Sequence, residues 1–182
     1  LKYLKINRPI EISSMADLSA GTGMGSSSSY TVALLQGLNT MLRRHLPLQK
    51  FAEEACRIEI DLIGKPIGKQ DQYAAAYGGI IQLDIDRLGE GKVRQISLDS
   101  EVIYELENRL MMFYTNIERD ANVILGEQSN KAKADEKNVV NAMHKIKEIG
   151  KEIKTSLVKG DVDQFGKLLH EHWLTKKSVS SK

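Results

Sequence analysis

The spacing of apolar residues predicts an α+β fold, with strands and helices grouped in blocks rather than strictly alternating. Three observations carry that expectation. Residues 30–63 hold two apolar stripes with helical period. Two short runs between residues 80 and 98 read as the arms of a hairpin. Beyond residue 122 the periodic stretches are helical again.

Taken in order, Leu1, Tyr3, Leu4 and Ile6 flank Lys2 and Lys5 in a loose strand pattern that Pro9 breaks. Ile10, Ile12 and Ser14 alternate with Glu11 and Ser13, which predicts a strand. From Ser26 to about Arg44 a helix is expected, with Val32, Leu35, Leu38 and Leu42 on one face. After Pro47, a second helix should span Leu48 to Ile63, with Phe51, Ala55, Ile58 and Leu62 in register. Residues Gly64 to Gly68 form a turn, and Gln70 to Tyr77 a short alanine-rich helix closed by Gly78 and Gly79. Ile80 to Ile85 is a strand, Arg87 to Lys92 a polar turn, and Val93 to Leu98 the hairpin partner. A boundary near Ser97 to Ser100 would divide the chain into domains of residues 1–98 and 99–182. Arg109 to Thr115 reads as a buried strand. Helices follow at Asn122 to Lys131, Glu136 to Lys159 (with a kink expected at Gly150) and Val162 to Lys176, the last set off by Gly160-Asp161.

With 182 residues, 41% hydrophobic and 27% charged, the chain can bury a real core. A net charge of +2 does not argue for nucleic acid as a partner. No apolar run reaches the roughly 18 residues that a membrane span needs, so no membrane partner is expected. The single cysteine, Cys56, cannot form an internal disulfide and suits a reducing cytoplasm. It is expected as a buried helix residue rather than a nucleophile. The chain starts at Leu1 rather than a methionine and ends in a Ser/Lys-rich stretch, which leads us to expect part of a longer protein.

The chemistry concentrates in Leu18-Ser19-Ala20-Gly21-Thr22-Gly23-Met24-Gly25-Ser26-Ser27-Ser28-Ser29. Glycines at every second position let the backbone approach a ligand and turn its N–H groups inward. Four serines then open a helix, where unpaired N–H groups and the positive end of the dipole coincide. This is the chemistry of a phosphate cradle. A Walker loop would need lysine after its last glycine, where Ser26 stands, and the Rossmann fingerprint would need a glycine at that same position. A flexible linker is the plainer alternative, but linkers are not normally bracketed by a strand and an amphipathic helix. Downstream, Glu59 to Tyr73 combines two carboxylates, Glu59 and Asp71, with a glycine turn. Alone, Asp71 reads as a first-turn helix residue and Glu59 as a solvated one. Beside a phosphate loop they supply what phosphoryl transfer requires, a metal ligand and a group that orients or deprotonates the nucleophile. His170 and His172 point to different sides of a helix and make no metal site. Trp173 is expected to pack, and the Lys-rich stretch 131–159, interleaved with acids, reads as a solvated face.

The loop resembles the galactokinase, homoserine kinase, mevalonate kinase and phosphomevalonate kinase (GHMP) superfamily. That signature reads Pro-x-x-x-Gly-Leu-Gly-Ser-Ser-(Ala/Ser), against Ser19 to Ser28 here, with Ser19 replacing proline and Met24 replacing leucine. Within the superfamily, the run Gly68-Lys69-Gln70-Asp71-Gln72-Tyr73 and the four serines are most similar to the heptose 7-phosphate kinase branch. So are Phe113-Tyr114-Thr115 with Arg119, and Leu168 to Trp173 before Lys176-Lys177. The resemblance implies a GHMP-kinase fold. Its N-terminal part would be ribosomal protein S5 domain 2-like and hold ATP, followed by a mostly helical part of the C-terminal domain. It implies an ATP-dependent phosphotransferase acting on a sugar or sugar phosphate, with Mg2+ as the metal. By position, Gly21, Thr22, Gly23, Met24, Gly25, Ser26, Ser27 and Ser28 would hold the ATP phosphates. Ser27 and Glu59 would hold Mg2+, Asp71 would act on the acceptor hydroxyl, and Lys69 would neutralise transferred charge or sit as a solvated turn lysine. Thr115 and Arg119 would line the sugar site. The implied partner is a small sugar, and a homodimer is left open. The superfamily's N-terminal basic sugar motif and C-terminal glycine-rich motif have no counterpart here, in keeping with a central fragment. Fucokinase, N-acetylhexosamine kinase and galactokinase-like activities, and a non-catalytic nucleotide-binding module, are the alternative readings.

Overall fold

The computed structural model describes residues 1–17, 22–114 and 137–178. Within them helices dominate, and one two-stranded antiparallel sheet makes the fold α+β. Helix α1 spans Ser26–Met41 and buries Val32, Leu35 and Leu38, the stripe its spacing predicts. Helix α2, Leu48–Cys56, buries Phe51, Ala52, Ala55 and Cys56. Leu4, Val32, Leu35, Leu38, Phe51 and Ala55 form one apolar core.

Helix α2 runs into a π-helical turn at Arg57–Leu62, where the Ile63 N–H donates to the Ile58 carbonyl at 3.0 Å, five residues back. The expected helix to Ile63 therefore keeps its direction but widens in its last turn. The extra residue rotates the face: Leu62, expected in register with the core, is 59% exposed, while Glu59 is fully buried. Gly64, with φ +78°, then reverses the chain.

Helix α3 covers Gln70–Tyr77 and stops at Gly78, as expected. Strand β1, Ile81–Ile85, pairs with β2, Gly91–Gln95, so that Ile81 faces Gln95 and Ile85 faces Gly91. The second arm thus starts and ends earlier than Val93 to Leu98. Gly91 lies inside the strand rather than in the turn: a Cβ there would come within 2.5 Å of the Tyr73 ring and hydroxyl, so this position needs glycine for close approach. Ala52, Cys56 and Tyr73 form a second core against Ile81, Leu83 and Val93.

Three segments with strand-like sequence form no strand. Lys2–Leu4 is a 3-10 turn, and residues 10–16 adopt no regular element, with Ile12 45% exposed. Helix α4, Ser100–Arg109, absorbs Arg109, and Leu110, Met111, Met112, Phe113 and Tyr114 are exposed rather than buried. Alternating or apolar sequence makes a strand only where a neighbour supplies backbone partners, and among the described residues none of these segments is paired. Thr115, Arg119 and the helix expected at 122–131 lie outside the described residues.

Helix α5, Lys137–Val158, continues through Gly150. Gly160, at φ +73°, ends the turn that follows, and the Asp161 carboxylate accepts from the Gln164 N–H at 2.9 Å to cap helix α6, Val162–Lys177. The two helices pack together, with Lys145 and Glu171 paired at 2.9 Å. Arg109 joins α4 to the start of α6 through Asp163. Among the described residues no helix is long and apolar enough to cross a membrane.

Candidate active site

The glycine loop ends in left-handed backbone. Gly23 and Gly25 have φ +78° and +69°, and Gly25 is the N-cap of α1. Glycine carries no capping side chain, so the N-cap residue makes no side-chain bond to the first turn of α1. The first helical bond runs from the Ser29 N–H to the Gly25 carbonyl at 3.0 Å.

Glu59 is the hub beneath that helix end. The π turn aims it inward, and its side chain is 0% exposed. Oε2 accepts from the Ser28 hydroxyl at 2.8 Å and from Gln72 Nε2 at 2.7 Å. Oε1 accepts from the Ser27 hydroxyl and from Lys65 Nζ, the latter at 3.0 Å. Lys65 also donates to Ser27 Oγ. A carboxylate offers about four lone-pair positions, and four donors occupy them. Burial pushes the Glu59 carboxyl up, but the hydrogen bonds from Ser27, Lys65, Ser28 and Gln72 outweigh it and hold the group below its ordinary value, hence ionised.

Asp71 sits in the first turn of α3 and is exposed. Its carboxylate lies over the loop: a Cβ built on Gly25 would meet Asp71 Cγ at 3.5 Å and Oδ2 at 3.6 Å. The fold thus brings Gly25, Ser27, Ser28, Glu59 and Asp71 together from three elements. Beside them, a cleft of about 820 Å³ runs along α1, lined by Ile12, Met24, Ser26, Tyr30, Leu34 and Leu38 among others.

Lys69 is not part of this group. Its Nζ donates to the Gly89 carbonyl at 2.5 Å and lines a smaller cleft with Cys56, Tyr73 and Glu90. Cys56 is buried as expected, and burial pushes its thiol up to about 11, which leaves it unreactive. Gly21, Thr115 and Arg119 lie outside the described residues. The sequence reading missed Lys65 and Gln72. Gln72 follows directly on Asp71 in the run already singled out, while nothing in the periodicity marks Lys65, which owes its place to the reversal at Gly64.

Among the described residues no three His, Cys, Asp or Glu side chains converge as a metal cage. Ser27 Oγ and Glu59 Oε1 nevertheless offer two hard oxygens side by side, and a cation, Lys65 Nζ, already touches both. That donor set fits Mg2+, which takes one or two protein oxygens and completes its shell with phosphate oxygens and water.

Comparison with known proteins finds similar sugar kinases. Residues 1–79 match the family described as GHMP kinases N terminal domain. A D-glycero-alpha-D-manno-heptose 7-phosphate kinase of Campylobacter jejuni is 30% identical over 165 residues, covering 91% of this chain and 48% of that protein. A galactokinase of Pyrococcus furiosus is 27% identical, covering 86% of this chain and 50% of the relative. Among solved structures, a D-glycero-D-manno-heptose 1-phosphate kinase from Bacteroides thetaiotaomicron superposes with a TM-score of 0.71 at 30% identity, covering 88% of this chain and 46% of that one. The chain spans about half the length of these relatives. Residues 1–79 of this chain are thus similar to the N-terminal domain of GHMP kinases, and the fold is similar to that of a solved heptose phosphate kinase.

Proposed function

We propose that this chain forms the nucleotide-binding and catalytic part of an ATP-dependent sugar kinase, with the anomeric hydroxyl of a heptose 7-phosphate as acceptor. One observation supports it above the rest: the uncapped start of α1, the buried carboxylate of Glu59 and the exposed carboxylate of Asp71 meet at Gly25. A module that only bound nucleotide would have no need of the second acid. Residues 1–98 would then belong to the ATP-binding domain and 99–182 to the C-terminal domain.

In this reading the N–H groups of the α1 first turn, and the loop before it, hold the phosphates, and the cleft along α1 takes the base. Ser27 and Glu59 hold Mg2+, which when bound neutralises charge on the phosphoryl oxygens. Asp71 accepts or orients the proton of the acceptor hydroxyl. Its exposure suits it to meet a substrate, and its place against Gly25 keeps it beside the phosphates. Such general-base assistance contributes about 10²–10⁴-fold. Lys69 has no part, since the Gly89 carbonyl engages its ammonium. Thr115 and Arg119 stay on the sugar side by resemblance alone.

The test is ADP release with MgATP and a panel of heptose 7-phosphate, heptose 1-phosphate, galactose, fucose and N-acetylhexosamines. Heptose 7-phosphate should give the highest kcat/KM, and Asp71→Asn should lower kcat by about 10²-fold or more while ATP affinity holds. Faster turnover of galactose or fucose would move the chain to those branches. ATP binding without turnover of any sugar would favour the non-catalytic module.

A further inference from the structure

We infer that Lys65 is a built-in counter-cation at the Ser27–Glu59 pair, and that a divalent metal arriving with nucleotide must displace it. The inference rests on the kinase reading only for what brings the metal. Glu59 is 0% exposed, and a buried carboxylate is costly to leave without a cation beside it. In this structure the cation is Lys65, whose ammonium contacts Ser27 Oγ and Glu59 Oε1 together. These are the two oxygens a metal would use. A magnesium ion would need them at about 2.0–2.1 Å, and an ammonium kept on the same pair would repel it at close range.

The lysine is also placed to leave. Its backbone is anchored, because the Lys65 N–H donates to the Glu59 carbonyl at 3.0 Å and Gly64 fixes the reversal. Its side chain is 29% exposed and open to solvent on one side. The other three bonds to Glu59, from Ser27, Ser28 and Gln72, do not depend on it. Metal-free protein would thus keep a charge-balanced carboxylate, and metal affinity would be lowered by the free energy of releasing Lys65.

The experiment compares Mn2+ affinity, read from the electron paramagnetic resonance of free Mn2+, with a non-hydrolysable ATP analogue present. Lys65→Met and Lys65→Gln should bind Mn2+ about fivefold more tightly than wild type, the scale of one partly exposed ion pair. Lys65→Arg, which keeps the charge, should not. Equal or weaker Mn2+ binding by both neutral variants would overturn the inference and place Lys65 alongside the metal instead. A second arm uses unmodified protein and so does not depend on the variants folding. Acylation of Lys65, read by mass spectrometry, should rise in Mg2+ relative to KCl of equal ionic strength, while other lysines stay unchanged. Identical Lys65 labelling in the two salts would also overturn it. If wild type binds no nucleotide analogue, the kinase reading fails, and the labelling arm still decides the role of Lys65.

Discussion

Replacing Glu59 by glutamine tests the hub most directly, because size is preserved and charge is removed. The side chain is 0% exposed and accepts from Ser27, Ser28, Lys65 and Gln72. Glutamine can keep several of these contacts: both hydroxyls can rotate, and Gln72, whose Oε1 has no partner, can turn its amide round. What disappears is the charge assistance. A hydrogen bond to a charged group is worth about 1.5–3 kcal/mol against about 0.5–1.5 for a neutral one. Lys65 is partly exposed, so its share is discounted. The net expectation is a loss of about 2 kcal/mol, or about 4–8 °C in Tm for a chain of this size. The effect should depend on pH with a definite sign. The folded pKa of Glu59 lies below its ordinary value of 4.5, so its contribution is full above that pH and fades as pH falls through the folded value. Urea melts followed by circular dichroism should therefore show the gap between wild type and Glu59→Gln widest near pH 7 and closing in acid. An equally stable variant at pH 7, or a gap unchanged by acid, would refute the buried ionised hub.

Three further outcomes follow from local geometry. Gly25→Ala should cost about 1–2 kcal/mol for left-handed backbone at φ +69°, and its methyl would sit in van der Waals contact with the Asp71 carboxylate. Calorimetry should find weaker binding of an ATP analogue together with the lower Tm, and unchanged values for both would remove Gly25 from the site. Gly91→Ala should destabilise by about 1–3 kcal/mol, because its Cβ would meet the Tyr73 ring at 2.5 Å, and a melt like that of wild type would deny this contact. Cys56, buried with its thiol pushed up to about 11, should react with a thiol-specific disulfide at pH 8 at least about 100-fold more slowly in native than in denatured protein. Equal rates would contradict its burial.

The resemblance to GHMP kinases was legible from one run of residues. Alternating glycines followed by serines have little use in a core, and their order in sequence is also their order in space, so the loop and the helix it opens could be read without a fold. The stripes of α1 and α2 were legible for a related reason: a helix makes its own hydrogen bonds and shows its buried face as a period. Strands lack that independence. Ile10 to Ser14 and Leu110 to Tyr114 carry strand-like residues, yet neither is paired among the described residues, because a ladder needs a partner that local pattern does not supply.

The sequence by itself determined the glycine-serine loop, the helix it opens and the two acids downstream of it. Only the tertiary structure decided how those acids differ. A one-residue widening after Cys56 turned Glu59 inward onto Ser27 and Ser28, and packing of α3 against α1 set Asp71 over Gly25 in the open. It likewise sent Lys69 to Gly89 and brought Lys65 to the hub. Residue identity is local, but the partner of a charge depends on backbone reversals and helix contacts that join distant positions, and no spacing rule along the chain encodes them.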